Sequence, residues 1–514
     1  MGPDRAPGGG RELWRHGGDG RRRACRHGGR REDGLGVARS DGDGACGRGA
    51  HSEEGGHGAE DSGRCPERAG PIVIAIVGAG LAGLSTAFHL KGPYRLFEKE
   101  KEAGGLCRSY QVDGFTFDLT GHLLHFRQAA IQTLVEGLLG GRLQKHVRRS
   151  YIYSHRTYTE YPFQVNTYGL PPDVVRECLL GFIATLTNPS PSRKDQAQTE
   201  PQSFKAWILE NLGEGMAKHF MVPFNEKFWQ APLDELTSDW VSWLVPKPDL
   251  KDVVNGALGI KDKAFGYNPS FLYPAQGGIE ALPKAFLPSV AEIAYGAELI
   301  EVETGKRRAT FGDGRVLDYE QLVSTIPVTE LVRLCADFPQ GLREAAAGLR
   351  CVSVYSVNLG VARERLSDKH WIYFPEPDYP FYRAGFPMNF SPSLGPPGCS
   401  SLYVEISHRP TEHSRPAEVI RQVRGGLERG GILKPDDDIL VADLRDIRYA
   451  YVLFDRHRAK VLPAILDELQ RRGIHSIGRY GRWEHTSMED AIDQGKKLAE
   501  HLNRSGQAQS TDRP

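Results

Sequence analysis

The stretch IVIAIVGAGLAGLSTAFHL, Ile72 to Leu90, decides the fold. Its first six residues are a continuous apolar, mainly β-branched run, the mark of a strand buried on both faces of a parallel sheet. Gly78, Gly80 and Gly83 then form a GxGxxG turn that opens an amphipathic helix. Gly78 permits the tight turn, Gly80 lets backbone approach a pyrophosphate, and Gly83 allows the helix to pack on the strand. The unpaired N–H groups of the helix's first turn suit phosphate oxygens. Alone the hexapeptide is a weak signal; set between such a strand and such a helix it reads as a dinucleotide-binding turn.

Working outward, YRLFEKE reads as the second strand of a βαβ unit, and Glu98 closes it twenty residues after Gly78. A carboxylate there either accepts hydrogen bonds from an adenosine ribose or is an exposed strand-end acid. Gly104, Gly105 and Arg108 follow within ten residues. That glycine pair plus arginine is typical of flavoproteins related to glutathione reductase and the amine oxidases, and it selects FAD over NAD. FDLTGH, ending on Gly121 and His122, resembles the strand and turn that bring backbone against a flavin ring. Near the C-terminus, Met488 and Glu489 open the last helix, whose positive end would stabilise reduced flavin. Ordinary helix capping by acidic residues is the alternative, and both can hold.

The rest of the chain is consistent with a large α/β enzyme. With 514 residues, two or three packed regions are expected. The 65 basic and 65 acidic side chains cancel, so nothing calls for nucleic acid or an anionic membrane. Residues 1–69 are rich in Gly, Arg, Asp and His without apolar periodicity; they read as a disordered tail, or as lying upstream of the true start. No run approaches the ~20 apolar residues of a membrane span, the eight cysteines show no CxxC pairing, and a reducing, cytoplasmic location fits. No metal-ligand spacing is present. The expected organisation is a Rossmann-type FAD-binding region (71–126, 268–335 and 468–505), a helical insertion (170–262) and an antiparallel-sheet substrate region (140–168 and 336–465).

Beyond the general fold, the chain resembles the UDP-galactopyranose mutases, nearest the longer eukaryote-type members. The matching segments are GHLLHF (Gly121 to Phe126), YPFQVN (Tyr161 to Asn166), FNEKFWQAP (Phe224 to Pro232), YPAQGG (Tyr273 to Gly278), LVSTIP (Leu322 to Pro327) and WIYFPEPDYPFYRA (Trp371 to Ala384). The resemblance implies a nucleotide-sugar substrate and chemistry without net oxidation, in which reduced flavin takes the sugar at its anomeric carbon while UDP leaves. It implies that His122 lies near the flavin ring and that Tyr373 and Arg383 hold the diphosphate, for which the planar fork of arginine is suited. Gln164, Asn225, Trp229 and Asn268 would line the nucleotide site, with Tyr451 a further diphosphate tyrosine. Read without the resemblance, Trp229 is equally a core aromatic, Arg383 a surface ion-pair partner and His122 a buried core histidine. A homo-oligomer is allowed, and the source of reducing electrons is unassigned.

Departures from the pattern matter. Where the family has a second diphosphate arginine, Leu244 stands in DWVSWLVPKPDL, with Lys247 nearby; losing such a partner costs roughly 1.5–3 kcal/mol. Phe390 and His485 replace two family tyrosines. A less anionic substrate would suit these changes, so a second reading stands beside the first: an oxidoreductase of the amine oxidase, protoporphyrinogen oxidase or desaturase type, passing hydride from substrate to flavin. A third is a non-catalytic FAD-bound scaffold.

Overall fold

Strand Ile72–Val77 lies inside a seven-stranded sheet, flanked on both sides by parallel neighbours, Tyr94–Glu98 and Val316–Ser324. The computed structural model describes residues 72–187, 201–241, 245, 247–261 and 269–511. Residues 1–69, Leu244 and Asn268 lie outside them. The described residues belong to one unit, Arg64–Pro514.

Ile74, Ala75, Ile76 and Val77 are all buried, as the unbroken apolar run requires. Ile293–Tyr295 extends the sheet in parallel beyond Tyr94–Glu98. Strand Val316–Ser324 serves two environments. Its first half alternates exposed and buried residues where it pairs antiparallel with Arg308–Phe311, and its last three residues are buried where it runs parallel to Ile72–Val77 and Ile474–Ser476.

A second seven-stranded sheet runs, in order, Ile439–Val452, Cys351–Val361, Ser400–His408, Arg383–Gly385, Trp371–Tyr373, Ser150–Ser154 and Thr157–Glu160. It is antiparallel except where Trp371–Tyr373 meets Ser150–Ser154. Strand Leu143–Val147, next to this sheet in sequence, instead pairs with Ser270–Pro274. Helices Pro172–Thr187, Phe204–Met216, Val222–Trp229 and Leu250–Leu258 fall within the expected helical stretch. The fold is mixed α/β with two multi-stranded sheets.

The last helix, Met488–Thr511, closes on the helix of the glycine turn, Leu81–His89. The Ser85 hydroxyl donates to the Ile492 carbonyl at 2.6 Å. Gly495 permits the approach, since a Cβ there would stand 2.4 Å from the Ala82 carbonyl oxygen. Gly495→Val therefore lowers the thermal midpoint, by overpacking worth about 1–3 kcal/mol. Gly137→Ala, in helix Ala129–Leu138 where a Cβ meets nothing within 4 Å, leaves it unchanged or raises it. Equal melting of the two variants contradicts this close packing.

Candidate active site

The glycine turn is built from backbone contacts. Gly78 has φ +98° and donates its N–H to the Phe97 carbonyl at 2.8 Å. A Cβ on Gly83 would lie 1.9 Å from the Gly78 oxygen, so helix and strand touch there as the sequence suggests. Gly80 differs: a Cβ would meet only the Gly105 Cα, at 3.9 Å. The turn is thus tight where helix meets strand and less crowded at Gly80, where a pyrophosphate would be accommodated.

Glu98 is buried, which removes the exposed strand-end reading. Its Oε2 accepts from the Ala79 amide at 2.7 Å and its Oε1 from the Glu100 amide at 3.0 Å. Gly104 donates to the Ala79 carbonyl at 2.8 Å, and Arg108 Nε to the Gly105 carbonyl at 2.9 Å. The structure thereby brings Gly78, Gly80, Gly83, Glu98, Gly104, Gly105 and Arg108 into one neighbourhood. These residues fit the FAD diphosphate and ribose.

Glu489 and Met488 stand differently. The Glu489 carboxylate is buried and accepts from the amides of Arg127 and Gln128 and from Arg127 Nε, at 2.7 to 3.2 Å. Ser487 and Asp490 cap the helix reciprocally. The acidic residues at this end therefore perform capping and tethering.

A polar cluster is assembled on the second sheet. Tyr373 pairs across the ladder with Arg383, and Arg383 with Glu405, so the three side chains share one face across three strands. Arg383 Nε donates to Glu405 Oε2 at 2.5 Å, and the carboxylate is fully buried. The Thr120 hydroxyl and the Gly121 amide (3.4 Å) also donate to Glu405 Oε1. Arg383 is therefore no surface ion-pair partner; its side chain is 18% exposed. Tyr382 and Tyr403 flank it, with ring centroids 5.9 and 5.7 Å from the guanidinium. A Cβ on Gly121 would strike the Tyr403 ring at 2.6 Å, which explains glycine there.

Charge in this cluster is sparse. Burial raises the Glu405 carboxyl, but Arg383 and Thr120 outweigh it and hold the pKa below the ordinary value. Burial pushes His122 down to about 4, so the ring is neutral near pH 7. His485 is likewise depressed by burial and by Arg479; its ring stacks on Tyr451 at 5.7 Å. Arg479 lies 5.4 Å from the Tyr451 ring and donates to the Thr486 carbonyl. Its Nε is buried and meets no partner.

Of the other expected site residues, Trp229 is buried 6.2 Å from Tyr451 with its indole N–H unpartnered. Asn225 is buried and donates to the Met221 carbonyl at 2.7 Å; Gln164 is buried. Tyr373 contacts Tyr161 and Phe224, each at 5.4 Å. Lys247 instead lies over the Trp207 ring, and Phe390 packs on Tyr273 and Phe271. Sequence reasoning missed Glu405, Thr120, Tyr403 and Arg479. A separate cleft of about 1020 Å³ reaches the cluster at Trp229; Arg333, Arg343, Arg409 and Arg448 line it with Glu235 and Glu330. Among the described residues no His/Cys/Asp/Glu group could hold a metal ion, and no helix is long and apolar enough to cross a membrane.

Comparison with known proteins places this geometry. A crystal structure of reduced UDP-galactopyranose mutase superposes with TM-score 0.77 and 27% identity, over 84% of this chain and 93% of that one. A protein assigned as a protoporphyrinogen oxidase from Exiguobacterium sp. 255-15 has TM-score 0.65 at 16% identity, over 84% and 99%. Cyclohexylamine oxidase from Brevibacterium oxydans IH-35A has 0.60 at 13%, over 85% and 100%; these two likenesses bear on the fold alone. An uncharacterized protein of Methanothermococcus thermolithotrophicus, encoded 3′ of nifH2, is 37% identical over 90 residues, 17% of this chain and 79% of that protein. Residues 81–503 match the family described as flavin containing amine oxidoreductase. The chain belongs to that family and is an FAD-dependent enzyme.

Proposed function

We propose that this flavoenzyme acts as a UDP-galactopyranose mutase does, isomerising a nucleotide sugar with no net redox change. The observation that carries the reading is the Tyr373–Arg383 pair on one sheet face, with Arg383 fixed by a buried carboxylate. The overall likeness to reduced UDP-galactopyranose mutase at 27% identity supports it.

Bound FAD, once reduced, would supply the electron pair that activates the sugar and recover it at the end. The chain's own groups do the rest. With Nε committed to Glu405, Arg383 offers its two terminal nitrogens to diphosphate oxygens. Tyr373 adds a hydroxyl beside it, and the rings of Tyr451 and Trp229 border the site. His122, neutral and anchored by Nδ1 on the Thr120 carbonyl at 3.1 Å, presents its other nitrogen without adding charge. A cytoplasmic location and a small-molecule substrate complete the proposal. The alternative, hydride transfer from substrate to flavin, draws on the cluster's low net charge: Arg383 and Arg479 against Glu405.

Dithionite-reduced enzyme given UDP-galactopyranose or UDP-galactofuranose is expected to yield the other isomer by chromatography. No turnover, with flavin reduced instead by an amine or a porphyrinogen, favours the oxidoreductase. Tyr373→Phe removes one hydroxyl partner and lowers kcat/KM roughly 2- to 10-fold with bound FAD unchanged. An unaltered kcat/KM removes Tyr373 from the diphosphate site.

Because its folded pKa is depressed, His122 begins to charge only as pH falls toward about 4. The pH profile of kcat/KM therefore shows no His122 inflection at the ordinary histidine value of 6.5. An inflection there that His122→Asn abolishes contradicts the neutral ring.

A further inference from the structure

Glu405 occupies a costly position. Its carboxylate is wholly buried in strand Ser400–His408. A buried ion pair is weak as a device for stability, because an apolar pair of similar volume often serves as well. What the pair does provide is fixed geometry. One oxygen takes Arg383 Nε at 2.5 Å; the other takes the Thr120 hydroxyl and the Gly121 amide. Those last two groups belong to the turn that carries His122, whose Nδ1 rests on the Thr120 carbonyl. A single carboxylate thus ties the second sheet's arginine to the turn that follows strand Phe115–Asp118.

The surroundings leave Arg383 little other restraint. Tyr403 and Tyr382 offer it ring faces, which hold a cation without fixing its rotation. A hydrogen bond at Nε constrains the plane of the guanidinium and leaves its two terminal nitrogens without a hydrogen bond to the carboxylate. Strand register reinforces this, since Tyr373, Arg383 and Glu405 are consecutive cross-strand partners.

We infer that Glu405 is a positioning residue, holding Arg383 in the orientation that accepts a nucleoside diphosphate and keeping it in register with the Thr120–His122 turn. The inference rests on the nucleotide-sugar reading and names the residue through which Arg383 acts.

The test is a double-mutant cycle on FAD-loaded, reduced enzyme, with UDP as the probe and its Kd as the readout. Glu405→Gln keeps the shape and removes the charge; it weakens UDP binding by about 10-fold or more. Arg383→Ala weakens it comparably, and the double variant binds no worse than Arg383→Ala, because Glu405 acts only through the arginine. FAD content is unchanged throughout, which a merely structural role would not give. Should Glu405→Gln lose FAD or fail to fold, Thr120→Val replaces it in the cycle. That variant leaves the ion pair intact but releases one tie, weakening UDP roughly 2- to 10-fold. Wild-type affinity in Glu405→Gln, or effects that multiply in the double variant, overturns the positioning role and leaves the nucleotide-sugar reading standing. No UDP binding by the wild-type enzyme overturns both.

Discussion

Ala79 joins the parts of the nucleotide-binding sheet on which the site depends. Its amide donates to Glu98 at the end of the second strand, and its carbonyl accepts from Gly104 in the loop beyond. Both polar groups of one backbone unit are thus spent on fixing the acid and the glycine pair around the turn. Such groups cannot be buried unpaired without a cost of about 1–3 kcal/mol each. The geometry at Gly80 is accordingly predetermined, and the close approach of Gly80 and Gly105 is part of the fold.

The second sheet solves a different problem. It must enclose a cation without leaving it unsolvated and alone. Glu405 meets that need from the neighbouring strand, while Leu402 and Val404 on the opposite face pack with Ile372 and Ala384 into an apolar layer. Alternation along one strand thus separates an apolar support from a polar working face. The histidines on the working side, His122 and His485, are held uncharged, so the field there comes from Arg383, Arg479 and Glu405.

The sheet around Ile72–Val77 was legible because backbone constraints leave marks in sequence: glycines where a Cβ collides, and an unbroken apolar run where both faces are covered. Gly78, Gly83 and Glu98 could be read that way. Glu405 could not. In SLYVEISH a lone glutamate in an alternating strand looks like a solvent-side residue, and only the pairing of Ser400–His408 with Arg383–Gly385 buries it. Arg383 and Tyr373 were found through resemblance, since ten residues of sequence hide their direct cross-strand contact. Glu489 shows the reverse case: its acidic position suggested the cofactor, and its oxygens turn out to be engaged by Arg127 and Gln128.

The visible flavin absorbance of the purified protein, compared with that of Gly80→Val, bears most directly on the proposal that FAD rests on this turn. At Gly80 an added Cβ meets only the Gly105 Cα, at 3.9 Å, so the backbone tolerates it and the side chain enters the space proposed for the phosphates. Wild-type protein carrying flavin beside a folded, colourless Gly80→Val agrees with this arrangement. A colourless wild-type protein that refuses added FAD, or a variant as yellow as the wild type, contradicts it.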